Sequence, residues 1–227
     1  SSQTVGLFPS FEPKGSLEGW KEAINFYNRD DLVLHQFVVG TSFGSPLMQF
    51  LPIHCAGLHI HSKESGVGKT TAMEAGVSVW GSPEDLIIHE RDTFNTKMNR
   101  GEVYHNLPLY MDELTNTNGK ELSNLAYQLT GGRQRGRMSA NSNTERARGD
   151  AWKLLAVTTG NTSIVERISM IKAMPKAEAQ RILECRVSRI HFDTKEETDA
   201  FSSAIQNNYG HAGKVYIQYI MSNLDAV

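Results

Sequence analysis

"HSKESGVGKTTAMEAGVSVWG", His61 to Gly81, is the stretch whose reading decides the fold. Gly66 and Gly68 bracket Val67, and Lys69, Thr70 and Thr71 follow them into a run with helical spacing. Glycine accepts the positive φ that turns successive backbone N–H groups toward one point, which makes an anion nest. A helix starting there adds the partial positive charge of its N-terminus. The apolar run Gly57–His61 just before has the length of a buried strand. Strand, glycine loop and helix, in that order, are the context in which such a string holds phosphate. The usual spacing, G-x-x-x-x-G-K-[ST], asks for a glycine where this chain has Lys63. That position governs entry to the loop more than the nest, and a lysine is tolerated there if its φ is negative. In this reading Ser65, Gly66, Val67, Gly68, Lys69, Thr70 and Thr71 bind nucleotide. Lys69 reaches the β- and γ-phosphates of ATP, and Thr70 offers its hydroxyl to Mg²⁺. The competing reading is a plain strand–turn–helix with a solvated lysine.

Working outward, four more short apolar runs suit buried strands: Asp85–His89, Leu107–Met111, Lys153–Thr159 and Val187–Phe192. Helical stretches separate most of them: Thr70–Val79, Thr93–Tyr104, Lys120–Leu129, and Ile164–Arg186 interrupted at Pro175. This alternation predicts an α/β fold with a mainly parallel five-stranded sheet and helices on both faces. Ahead of it, Ser16 can cap a helix carrying Leu17, Trp20, Ala23, Ile24 and Tyr27 on one side. A second apolar helix is expected over Asp31–Leu51, broken near Gly44-Ser45-Pro46. Behind the core, Glu196–Asn207 and Ala212–Asn223 read as amphipathic helices joined by the turn "NYGHAG". The chain thus divides into a flexible lead-in (1–15), N-terminal helices (16–52), the core (53–195) and a C-terminal helical part (196–227).

Composition narrows the class without naming it. The 227 residues are 39% hydrophobic and 21% charged with a net charge of −2, so any basic surface must be local. Cys55 and Cys185 form no CxxC pattern, which suits reduced thiols in a cytoplasmic protein. No apolar run is long enough for a membrane span, and the N-terminal residues lack the regions of a signal peptide. They read as the start of a piece cut from a longer protein.

Further chemistry sits at the ends of predicted strands. "LPLYMDE" closes on Asp112 and Glu113, two carboxylates that are costly to bury without a cation or water. Asp112 can hold Mg²⁺ through water, and Glu113 can polarise an attacking water as general base. A solvated turn is the bland alternative. "LLAVTTGN" ends in Thr158, Thr159 and Asn161. Asn161 is the first choice to orient water near the γ-phosphate and Thr159 the second, against a mere helix-capping role for Asn161 or Thr162.

Between these strands, "GGRQRGRMSANSNTERARGD" (Gly131–Asp150) carries five arginines against Glu145 and Asp150, a net of +3 (5 − 2). It can be drawn as a hairpin around Asn-Ser-Asn. Arg146 and Arg148, nearest its tip, are candidates for DNA phosphate contacts. Arg135 and Arg137, with Arg133, are candidates for a finger reaching a neighbouring subunit's nucleotide. A solvated basic loop is the alternative.

Taken together, "GKTTAMEAGVSVWG", "LPLYMDEL", Trp152 before "LLAVTTGN", and "YGHAG" resemble a family. They are similar to the phage and prophage replication ATPases of domain-of-unknown-function family 927, which are helicase-like and often joined to primase domains. Those resemble in turn the superfamily-3 helicases of the AAA+ type. The resemblance runs from about Trp20 to the C-terminus. It implies a AAA+ P-loop ATPase core that moves on single-stranded DNA as a homo-oligomeric ring, usually a hexamer, in the host cytoplasm, with a fused or separate primase or polymerase domain as partner. Lys63 departs from the family's glycine and Gly66 from its serine, while Lys69, Thr70, Asp112 and Glu113 match. A family arginine near the last strand falls on Arg186 or Arg189. Two other readings stay open: a protein-remodelling or loader ATPase without direct DNA binding, and a nucleotide-binding assembly module that does not hydrolyse.

Overall fold

The computed structural model describes residues 6–134, 136, 150–172, 175–188 and 192–226. In chain order its elements are α1 (Leu17–Ile24), α2 (Val33–Leu47), β1 (Cys55–His61), α3 (Lys69–Ser78), α4 (Pro83–Leu86), α5 (Phe94–Tyr104), β2 (Leu109–Met111), α6 (Gly119–Thr130), β3 (Leu154–Gly160), α7 (Ile164–Ser169), α8 (Lys176–Ala179), β4 (Ile182–Arg186), α9 (Lys195–Asn207) and α10 (His211–Ser222). The sheet runs β2-β3-β1-β4, all parallel. Helices cover both faces. On one side α2 and α3 meet Tyr110, whose hydroxyl lies 2.7 Å from Ser42 Oγ and 3.0 Å from Thr41 Oγ1. On the other, Leu122, Leu125 and Leu129 of α6 lie over Cys55, Gly57 and Ala156.

The sheet has four strands, not the expected five. Of Asp85–His89, only Ile88 pairs, as an isolated parallel bridge to Met111. The chain before it is drawn into α4, with Pro83 in its first turn and the Ser82 hydroxyl accepting from Asp85 N. The chain after it turns away at once, because His89 N–H donates to Asp92 Oδ2 at 2.8 Å. The helix expected over Ile164–Arg186 is instead α7, α8 and then strand β4. Residues 182–186 have helical composition, but pairing with β1 overrides it. The Glu184 carboxylate then accepts from Ile164 N and Val165 N, at the start of α7. Val187 only adds a hydrogen bond to His61 O, so the strand ends at Arg186, six residues earlier than expected (192 − 186).

Helix α2 does not break at Gly44-Ser45-Pro46; Pro46 stands inside its last turn. A proline there leaves the carbonyl four residues back without its usual donor. That carbonyl, Ser42 O, is taken by the Trp80 indole N–H at 3.1 Å. The stretch read as a flexible lead-in is also built into the fold from Leu7 onward. Ser10 O accepts from Ser82 N at 2.8 Å, Phe11 meets the Tyr104 ring edge-on, and Lys14 bridges Tyr209.

Two cores result. The larger surrounds the sheet; the second joins Trp20, Tyr27 and Leu32 to Phe201, Ile205 and Ala212 across Ala75 and Val79 of α3 and its end. The turn "YGHAG" serves this second core. Gly210 has φ +80°, and its N–H donates to Ser78 O; Gly213 N–H donates to Val79 O, both at 2.8 Å. A Cβ on Gly213 would come within 2.4 Å of Trp80 Cε3. Gly213→Ala is therefore expected to lower stability by about 1–3 kcal/mol, the usual cost of overpacking. Urea unfolding measures it.

Candidate functional site

The site stands at the C-terminal edge of β1, β2 and β3. From β1 the chain passes through residues 62–68 into α3. Gly66 and Gly68 have φ +75° and +79°, and Gly68 is the residue preceding the helix. Among the described non-glycine residues only His105 and Glu113 have positive φ, so Lys63 keeps negative φ, and its side chain is exposed. Val67 is buried, and its carbonyl accepts from His35 Nε2 at 3.0 Å. This turns one polar group of the loop away from the nest. Ser65 is exposed and Thr71 half-buried on the first turn of α3.

Lys69 lies across the mouth of the loop. Its ammonium donates to Ser62 O at 3.0 Å, to Glu64 O at 3.4 Å and to Asn161 Oδ1 at 3.4 Å. Partial burial pulls its pKa down, and the nearby carboxylates of Glu113 and Asp112 oppose that shift. Thr70 Oγ1 donates to Asp112, 3.1 Å from Oδ2. Asp112 is nearly buried, and it also accepts from the Thr159 hydroxyl. The loop and both strand ends thus converge through side chains 42 to 92 residues apart in sequence.

Glu113 follows with φ +55°, a conformation that costs a non-glycine residue about 1–3 kcal/mol. Thr159 holds it there from both sides. Its hydroxyl accepts from Glu113 N at 2.9 Å, and its carbonyl accepts from Leu114 N at 2.8 Å. Glu113 Oε1 is buried and finds no hydrogen-bond partner among the described residues. A buried carboxylate oxygen is costly to leave so unless a polar ligand completes it. Asn161 is exposed at the tip of β3, and its N–H donates to Thr115 Oγ1 at 2.8 Å.

The arrangement offers a nest of backbone N–H groups, one compact cation, a carboxylate with a hydroxyl beside it, and a second carboxylate with a free oxygen. Thr70 and Asp112 are the oxygen donors suited to Mg²⁺, which keeps several waters and does not need a protein cage. Among the described residues no three His, Cys, Asp or Glu side chains gather as a metal cluster. The structure places Lys69, Thr70, Asp112, Glu113 and Asn161 of the sequence reading side by side. The sequence reading missed Thr115, and it ranked Thr159 as a water-orienting group, whereas its hydroxyl is buried against Asp112. Two adjacent β-branched hydroxyls ending an apolar strand are the signal that it has a polar partner at the sheet edge. Arg133 and Arg186 are exposed. Arg135, Arg137, Arg146, Arg148 and Arg189 lie outside the described residues, as does the expected hairpin.

The chain belongs to the family described as Domain of unknown function (DUF927), which matches residues 4–150, more than half its length. No curated protein matches it in sequence. Its fold is similar to that of a structure described as "SCCmec type IV Cch - active helicase", with a TM-score of 0.68, 23% identity, and coverage of 95% of this chain and 39% of that one. The chain thus spans well under half the length of that helicase. Weaker likenesses are to the C-terminal region of NrS-1 (TM-score 0.47, 12% identity, 88% of this chain, 46% of that) and to the JCV helicase (TM-score 0.37, 11% identity, 100% and 72%). No helix among the described residues is long and apolar enough to cross a membrane.

The grip of Thr159 on the site can be tested without any ligand. Thr159→Val keeps the shape but removes the donor to Asp112 and the acceptor of Glu113 N–H. Stability is expected to fall by about 1–3 kcal/mol, the cost of unpaired buried polar groups. Thr159→Ser should recover most of that loss in urea unfolding.

Proposed function

We propose that this member of the DUF927 family is an ATP-hydrolysing motor domain of helicase type, acting on single-stranded DNA as a ring of identical subunits. One observation carries the reading: Lys69, Thr70, Asp112, Glu113 and Asn161 converge on a glycine nest at the C-terminal edge of a parallel sheet. Open α/β sheets bind ligands at that edge.

In this reading the N–H groups of residues 66–70 and the N-terminus of α3 bind the phosphates. Lys69 exchanges its contacts with Ser62 O, Glu64 O and Asn161 Oδ1 for phosphate oxygens. Thr70 and Asp112 would hold Mg²⁺, which would supply charge neutralisation at the phosphates. Glu113 Oε1, buried without a partner among the described residues, takes a proton from the water as the water oxygen bonds the γ-phosphorus and the bond to the leaving ADP breaks. Asn161 orients that water. The backbone of the turn at Thr159–Asn161 stays fixed through Thr115. Movement on DNA, the ring, Arg146 and Arg148 as phosphate contacts, Arg135 and Arg137 as a finger in trans, and a primase or polymerase domain elsewhere in the protein are parts of the same proposal. They rest on the sequence and on the family.

Turnover of Mg²⁺-ATP, measured with and without single-stranded DNA, tests the whole. Glu113→Gln should still bind ATP by calorimetry and hydrolyse it about 10²–10⁴-fold more slowly, the span of a general base. Lys69→Ala should lose both binding and turnover while unfolding at the wild-type urea concentration. Turnover that single-stranded DNA does not stimulate would favour a remodelling ATPase, and binding without turnover an assembly module.

The arginines separate by salt dependence. Arg146→Ala with Arg148→Ala should weaken DNA binding and reduce the salt slope by about one unit per arginine. Arg135→Ala with Arg137→Ala should spare DNA affinity and remove turnover.

A further inference from the structure

His59 is the one ring in β1 whose hydrogen bonds both leave the strand for the tip of β3. It is 1% exposed, in the middle of the sheet. A buried imidazole needs a partner for each ring nitrogen. Nε2 lies 3.0 Å from Thr162 O, and a carbonyl only accepts, so Nε2 carries the proton. Nδ1 lies 2.8 Å from Thr158 Oγ1, which therefore donates to it. Burial pushes the pKa down to about 4, so the ring stays neutral and this tautomer persists. The same ring lies under Gly160. A Cβ there would come within 3.1 Å of His59 Cε1 and 3.4 Å of Nε2.

One side chain thus ties both ends of the segment 158–162, with Asn161 between them. Thr115 holds Asn161 N–H from the other side. The Asn161 amide is left to face Lys69 Nζ. A histidine that only filled the core would bond within its own sheet. This one spends its donor on the turn beyond the strand.

We propose that His59 is a positioning residue: through Thr162 O it sets the turn that presents Asn161 to Lys69 and the phosphate loop. The claim rests on the ATPase reading above for its kinetic consequence, but not for the tether itself. The side chains available distinguish the two nitrogens. The amide nitrogen of glutamine can reach the place of Nε2, whereas that of asparagine stands near Nδ1 and falls short of Thr162.

Two measurements test it. By hydrogen–deuterium exchange with mass spectrometry, His59→Asn should speed exchange at residues 160–162 by about tenfold, a loss of roughly 1.4 kcal/mol in local closure, and His59→Gln should restore most of the protection. In steady-state ATP turnover, His59→Asn should lower kcat by about tenfold or more with KM changed by less than about threefold. Added to Asn161→Ala, it should lower kcat by less than about twofold, since residues acting through one another are not additive. Unchanged exchange, or an equal loss of kcat in both backgrounds, would overturn the proposal. If His59→Asn does not fold, Gly160→Ala decides by the same two criteria, because its methyl displaces the turn from the ring while His59 remains. Faster exchange in a protein that shows no wild-type turnover would instead sink the ATPase reading and leave the tether standing.

Discussion

Helix α3 imposes the constraint on which the molecule is built. Its N-terminus opens on the glycine loop with no side-chain cap, and its C-terminal carbonyls must be satisfied in a dry interior. The chain solves the second need with a segment more than 130 residues away. Gly210 and Gly213 donate to Ser78 O and Val79 O, and Trp20 Nε1 donates to Ser78 Oγ at 2.8 Å. Ala72, Ala75, Gly76 and Ser78 keep the helix thin enough to be surrounded. A Cβ on Gly76 would lie 2.3 Å from the Tyr110 hydroxyl. The second core, which joins α1, α9 and α10, is therefore the clamp on the C-terminal end of α3. A helix fixed at one end can hold its other end at a defined distance from β2 and β3.

At that other end the fold accepts local cost. Glu113 sits in a left-handed conformation, Asp112 is nearly buried, and Lys69 is partly desolvated. Each is unfavourable alone. Thr159 offsets much of this by pairing with Asp112 and with the backbone on both sides of Glu113. One oxygen of Glu113 is left over among the described residues. An apolar residue in a relaxed turn would serve stability better, and the cost is the kind that collects where a fold gives up packing for a polar site.

Much of this was legible because it is local. The glycine spacing, the strand before it and the helix after it sit within two dozen residues, and Asp112-Glu113 ends an unmistakably apolar run. Most of the errors fall where a distant partner decides. Residues 182–186 have helical composition but pair with β1. Pro46 is tolerated because Trp80 supplies the donor for Ser42 O. Asp85–His89 is apolar enough for a strand, yet Ser82 and Asp92 claim its backbone at each end. The lead-in packs because Ser82 and Tyr209 receive it. Of these partners only Ser82 and Asp92, each three residues from the backbone group it holds, lie close enough in sequence to be read from spacing. His59 was invisible for a related reason: in "GLHIH" it looks like any strand residue, and only the register with β3 brings Thr158 opposite it.

The same register explains why the site's polar groups can be close without being mobile. In a parallel pair, neighbouring strands present their ends on the same edge. His61 pairs with Gly160, and Met111 pairs with Thr158. Three chain segments therefore leave the sheet side by side, at 62, 112 and 161. Each then needs only one short side-chain link to its neighbour: Lys69 to Asn161, Thr70 to Asp112, and Thr159 to Asp112. Such links would be worth little on a flexible surface, where holding two side chains costs as much as the bond returns. Here the strands have already spent that entropy in forming the sheet. The polar cluster is a consequence of the sheet.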